Sequence, residues 1–226
     1  ITASFHEDDR RLSQVKGREN KKPKEKYHKY IMELFEKGII KDFGGGSYES
    51  EEDFGWNDIS YSLKDNIIES GNVPNYLLIH LIETEDIEKI KKCIENGVNI
   101  HSNNEYALLY ASRNNKIEVV KLLLEHGADV HARNDSALID ASVMLDSGDY
   151  CRSVDEIRHG NLEVVKLLLE HGADVHALND YAIRRASFYG HYEVVKILLK
   201  HGANVHANDD YAIRRASFYG HYEVVK

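Results

Sequence analysis

The stretch "DYAIRRASFYGHYEVVK" runs from Asp180 to Lys196 and returns letter for letter from Asp210 to Lys226, where the sequence stops. The offset is 30 residues. Self-similarity at a fixed period of about 20–50 residues marks a solenoid or array, because one such unit cannot bury its apolar face alone. The fold question therefore becomes how far back the repeat extends.

It extends through more than half the chain. "LLLEHGADVHA" occupies Leu122–Ala132 and again Leu167–Ala177, "ILLKHGANVHA" occupies Ile197–Ala207, and "KCIENGVNIHS" at Lys92–Ser102 is a worn copy. Gly97 to Gly127 and Gly172 to Gly202 are each 30 residues apart, whereas Gly127 and Gly172 are 45 apart. One unit thus carries fifteen extra residues, placed between Ser142 and His159 and bounded as an insertion near 143–157.

Each unit reads as two short helices and a turn. In the first helix Ile183, Ala186, Ser187 and Gly190 fall on one face at i, i+3, i+4, i+7. Small residues there let a neighbouring helix approach closely. The second helix is predicted over about Tyr192–Lys200, with Val195, Leu198 and Leu199 as its apolar stripe. Glu193 at its start and Lys200 at its end complement the helix dipole. The glycine of "HGANVHAND" is expected as a left-handed C-cap before an extended finger.

These residues resemble the ankyrin repeat. "GHYEVVKILLKHGANV" matches its second half, and the likeness runs from about Asn75 to the end. The resemblance implies an all-α helical repeat solenoid with short turns or fingers, about four units and an incomplete fifth over residues 75–226. The ankyrin period is about 33 with a T-P-L-H-x-A opening. Here "YAIRRAS", "YALLYAS" and "SALIDAS" replace that opening, and three residues are missing from the finger, which predicts a tight turn. The shortened form resembles the ankyrin repeats abundant in giant, Mimivirus-like viruses of amoebae.

The rest of the chain divides by composition. Residues 1–29 carry nine Lys/Arg against five Asp/Glu, a balance of +4, which leaves −13 of the total −9 on the remainder. Residues 1–26 are expected to be a disordered basic arm. Residues 27–74 are expected to hold N-terminal helices, at Tyr27–Ile40 and as a cap at Asp58–Ser70, around an acidic Gly-rich linker. No apolar run approaches the length of a membrane span, and the first residues lack the apolar core of a signal peptide. Two cysteines make no disulfide framework, which fits an intracellular setting, cytoplasmic or nuclear. Lys226 aligns with Lys196, where the second helix has barely begun, so the chain reads as a fragment of a longer array.

No catalytic constellation emerges: the repeat serines Ser112, Ser142, Ser187 and Ser217 read as small spacers, and Cys93 as a core residue. Neither an enzyme, a cofactor nor a metal site is expected. Most of the 13 histidines fall in register, His126, His171 and His201 before the glycine and His101, His131, His176 and His206 after it. A ladder spaced by about 10 Å does not converge on a metal, so each imidazole is expected to hydrogen-bond loop backbone within its own unit.

The first helix has a second face. Arg184 and Phe188 are i, i+4, as are Arg185 and Tyr189, and the pattern recurs at Arg214/Phe218 and Arg215/Tyr219, with Arg113 and Asn114 at the equivalent earlier positions. The ankyrin resemblance implies that these residues point into a concave partner-binding groove. Tyr and Arg are favoured at interface hot spots. For the arginines and tyrosines, binding and simple solvation both remain open; the phenylalanines are expected to fill gaps between repeats. The functional expectation is a non-catalytic scaffold for a protein partner, a host protein where the viral resemblance is followed. The alternatives are a nucleic-acid binder using the arm and its "KKPKEK" with the Arg/aromatic stripe, or a substrate-adaptor fragment of a larger protein.

Overall fold

The computed structural model describes residues 2–6, 11–16, 28–37, 42–43, 59, 61–70, 73–143 and 161–226. The chain divides into two compact units, Ile1–Asn99 and Ile100–Lys226.

In the first unit, part of the segment expected to be disordered is paired. Strands β1 (Thr2–His6) and β2 (Arg11–Lys16) run antiparallel, and β3 (Asp42–Phe43) adds to β2 in parallel. The register sets Ala3 opposite Val15 and Phe5 opposite Leu12. Cross-strand apolar pairing favours a ladder even where mean composition is polar, and composition alone hides that coincidence. Helices α1 (His28–Glu36), α2 (Tyr61–Ser70), α3 (Asn75–Glu83) and α4 (Ile87–Glu95) follow. Helices α3 and α4 form the first repeat pair, closed over Leu77, Leu78, Leu81, Ile82, Ile90 and Cys93, all buried. Burial pushes the Cys93 thiol up to about 12, so it is an inert core group. The Asn96 amide donates to the Ile68 carbonyl at 2.7 Å, fastening α2 to this pair. The Lys64 ammonium donates to His80 Nε2 at 3.0 Å; burial first, and then that Lys64 charge, hold the His80 imidazole below its ordinary value.

The second unit contains the remaining repeats. First helices are α5 (Ser102–Arg113), α7 (Ala132–Ser142), α9 (Ala177–Tyr189) and α11 (Ala207–Phe218). Second helices are α6 (Ile117–Glu125), α8 (Leu162–Glu170), α10 (Tyr192–Lys200) and α12 (Tyr222–Val225). First helices pack on first helices and second on second, giving two layers. The core between them is Leu108, Leu123, Leu138, Leu168, Ile183 and Leu198, each buried to 1% exposure or less. Each such side chain contributes roughly 1.5–3 kcal/mol. Glu118, Glu163 and Glu193 open their second helices, the favourable end of the dipole for an acid.

Two sequence expectations shift. The apolar stripe of α10 is Val194, Val195 and Leu198; Leu199 is exposed, although its counterparts Leu124 and Leu169 are buried. A residue at that position is covered only where a further repeat stands beside it. The insertion begins after Val143, not at it. Val143 is buried and its N–H bonds the Asp140 carbonyl at 3.2 Å, so it completes the core of α7. Residues 144–160 lie outside the described residues, as do Cys151 and the Gly-rich linker.

The shortened finger is resolved by backbone handedness. Each second helix ends at a left-handed glycine, with φ of 86° at Gly127, 91° at Gly172 and 94° at Gly202. After the finger histidine, three consecutive residues are left-handed: Asn103–Glu105, Arg133–Asp135, Leu178–Asp180 and Asn208–Asp210. The right-handed first helix starts only beyond them. Asn and Asp tolerate this region better than other side-chain-bearing residues, which accounts for the "NNE", "RND", "LND" and "NDD" runs at these places.

Candidate partner-binding site

The left-handed triplets aim a carboxylate inward. Glu105, Asp135 and Asp180 are buried, and each takes an N–H from the histidine four residues earlier: His101 at 2.5 Å, His131 at 3.1 Å and His176 at 3.0 Å. Asp135 and Asp180 also accept the backbone N–H of the next finger, Asp174 at 2.8 Å and Asn204 at 2.6 Å. The finger histidines therefore serve a carboxylate, not the loop backbone expected from sequence. The i, i+4 His/acid spacing that announces it was visible in the chain but not used. His126 and His171, before the glycine, do bond backbone, each through Nδ1 to the carbonyl four residues earlier at 2.8 Å. Among the described residues no three His, Cys, Asp or Glu side chains gather as a metal site.

This edge is thus a scaffold, and it orients the first helices. In α9, Ala182, Ile183, Ala186 and Ser187 are buried, whereas Tyr181, Arg184, Arg185, Phe188 and Tyr189 are not. The residues left open recur at i, i+3, i+4, i+7, i+8, one continuous helical face. In α11 the equivalent Tyr211, Arg214, Arg215, Phe218 and Tyr219 are open as well. In α5 the face is Tyr106, Leu109, Tyr110 and Arg113, and in α7 it is Ser136 and Asp140. Tyr181, Tyr211, Tyr106, Tyr110 and Asp140 were not singled out from sequence. They lie three or four residues before the Arg/aromatic positions, which is the signal that would have found them.

The two arginines of each pair have different work. Arg184 donates Nε–H to Asn179 O and an Nη–H to Leu178 O, both at 2.9 Å, closing the left-handed turn of its own finger. Arg214 repeats this more weakly, at 3.4 Å to Asn208 O. Arg185 lies 4.9 Å over the Tyr189 ring and donates to its hydroxyl at 3.2 Å; Arg215 lies 5.1 Å over Tyr211. Such cation–π contacts hold a guanidinium in place while leaving its outer N–H groups available. Asn114 turns its amide back onto the Tyr110 carbonyl at 2.8 Å, a cap on its own helix.

Aromatic rings join the last two repeats. Phe188 is 4.9 Å from Tyr189 and 4.8 Å from Tyr219 across the repeat boundary, and Phe218 is 5.0 Å from Tyr219. Phe188 therefore fills an inter-repeat gap, as expected, whereas Phe218 is 76% exposed. Asp140 is half-buried among these rows. Burial pushes its carboxyl up, while the Arg113 and Arg185 charges pull it back down. A crevice lined by Glu105, Leu108, Arg133 and Ala137 has room for about one water, far below the few hundred Å³ a small-molecule site needs.

No described helix is long and apolar enough to cross a membrane. A comparison with curated proteins returned no match. The family model for "Ankyrin repeats (3 copies)" matches residues 63–152 and 156–226, which span the helix pairs described above. Ankyrin repeats are generally protein–protein interaction modules and are typically non-catalytic. With that match over most of its length and a stack of paired helices to carry it, the chain belongs to the ankyrin-repeat family.

Proposed function

We propose that this chain is a non-catalytic scaffold that takes a protein partner on the open face of its first helices, in the concave groove that the family implies. The observation that carries the reading is the split of α9: four small or apolar residues turned inward, and a tyrosine–arginine–aromatic face turned out. Tyr189 at 36% and Tyr219 at 47% exposure offer large, stiff contact areas with a polar tip, the residue type over-represented among binding hot spots. Arg185 and Arg215 supply the charged contacts. Arg113, Asn114, Phe188 and Phe218 border them, while Arg184 and Arg214 act mainly by holding the fingers. The resemblance to giant-virus repeats suggests a host protein as the partner, met inside the cell.

The test uses the full chain as bait, with captured proteins identified by cross-linking and their affinity then measured directly. Tyr189→Ala and Arg185→Ala should each weaken binding by roughly 1–2 kcal/mol, with helicity unchanged by circular dichroism. Lys196→Ala on the second-helix layer should leave binding intact. If the face variants bind as the parent does, or Lys196→Ala is the one that fails, the reading is wrong.

A further inference from the structure

The open face differs in charge from the molecule that carries it. The chain is net −9, and its fingers present Asp129, Asp174 and Asp209 to solvent. The first-helix face has Arg113, Arg185 and Arg215 with a single acid, Asp140. Among the described residues no carboxylate lies within ion-pair distance of Arg185 or Arg215; the ion pairs there are made by lysines and by the finger histidines. Both guanidiniums rest on tyrosine rings, so their planes are set before any ligand arrives. A planar fork held this way suits a carboxylate, which it can grip through two N–H groups at once.

Spacing adds a second constraint. Arg185 and Arg215 occupy the same position in consecutive repeats, 30 residues apart in sequence. Neighbouring packed helices lie about 8–10 Å apart. A polyproline-II segment rises about 3.1 Å per residue and returns to the same side every third residue, which gives about 9 Å. Resting on the protein-binding reading above, we propose that the partner presents an extended acidic segment in which carboxylates recur every third residue, one for Arg185 and the next for Arg215. The tyrosine rings beside each guanidinium supply flat contact area for the residues between. The finger carboxylates disfavour a long polyanion such as a nucleic acid, which would have to pass them.

A labelled Glu-Pro-Pro repeat peptide tests this on the full chain, against a Lys-Pro-Pro repeat, a peptide with Glu at every second residue, and an oligothymidylate. The expected result is saturable binding of the Glu-Pro-Pro peptide ahead of the other three. Arg185→Gln and Arg215→Gln should each weaken it roughly tenfold, the size of a hot-spot loss, with circular dichroism unchanged and Lys196→Gln without effect. No binding, equal binding of the lysine peptide, equal binding of the alternate-residue peptide, preference for the oligothymidylate, or insensitivity to both arginine variants would overturn the proposal. A captured protein partner that depends on Tyr189 but is not displaced by the Glu-Pro-Pro peptide would sink the acidic segment and leave the scaffold reading standing.

Discussion

Asp180–Lys196 and Asp210–Lys226 are the same seventeen residues in two places. In the first copy Ile183 has 0% of its surface exposed, and in the second Ile213 has 40%. Val195 and Val225 differ in the same way, at 5% and 41%. The small residues do not follow: Ala186 and Ala216 are both fully buried, as are Ala182 and Ala212 at 2%. The pairs that agree face the repeat before, which both copies have. The pairs that differ face the repeat after, which among the described residues only the first copy has. Local sequence is identical, so the difference measures what a neighbour adds and nothing else. That is the physics of a quasi-one-dimensional stack, in which stability is a sum of repeat terms and interface terms.

The sharpest test of this comparison is one substitution made twice. Ile183→Ala should cost about 2–5 kcal/mol, the usual range for a fully buried aliphatic side chain. Ile213→Ala should cost less than about 1 kcal/mol, as surface changes do. Denaturant midpoints of the two variants decide it. Equal losses would mean that the second copy is covered in solution, and the comparison would break.

The carboxylates come next. Asp180 is buried and accepts both His176 and the Asn204 N–H, whereas Asp210 is exposed and accepts His206 alone, at 2.6 Å. Removing a charged acceptor that leaves partners unsatisfied costs about 1.5–3 kcal/mol. Asp180→Ala should lose that much and speed amide exchange at Asn204; Asp210→Ala should lose a few tenths of a kcal/mol, as an exposed ion pair does. A similar loss in both would show that the inter-repeat bond adds nothing.

A smaller contrast separates Gly190 from Gly220. Both are left-handed, at φ 76° and 74°, so alanine strains both by about 1–2 kcal/mol. A Cβ on Gly190 would also sit 2.6 Å from the His221 ring, while one on Gly220 meets nothing closer than 4.0 Å. The His221 ring donates Nε2–H to the Phe188 carbonyl at 2.9 Å, and moving it would forfeit that bond, worth about 1 kcal/mol. Gly190→Ala should therefore be the worse of the two by about that amount in thermal or denaturant melts.

The mildest probe changes no residue. Amide exchange should be slower in Tyr181–Lys196 than in Tyr211–Lys226, because terminal units open locally at lower free energy. Equal protection would again mean that the second copy has a cover.

Much of this was readable in advance. The repeat, the glycine caps at Gly127, Gly172 and Gly202, the two-helix unit and the tight finger follow from spacing and residue type, because backbone handedness and helix periodicity are local properties. The Arg/aromatic face was legible as a pattern, since residues four apart on a helix must be neighbours. Its division of labour was not. Nothing in "IRRASFY" says that Arg184 closes the finger while Arg185 lies on Tyr189, because that depends on where the left-handed triplet leaves its carbonyls. The strand pairing of Thr2–His6 with Arg11–Lys16 was hidden for a similar reason, since register is a relation between two segments.

Sequence alone determined the period, the helix pairs, the caps and the faces, all of which are set within one unit. Tertiary structure decided which of two identical side chains is core and which is surface, and gave the finger histidines their carboxylate partners. It also joined each buried Asp135 and Asp180 to the following finger. Burial and cross-repeat hydrogen bonds are properties of an interface, and an interface is specified by both of its sides.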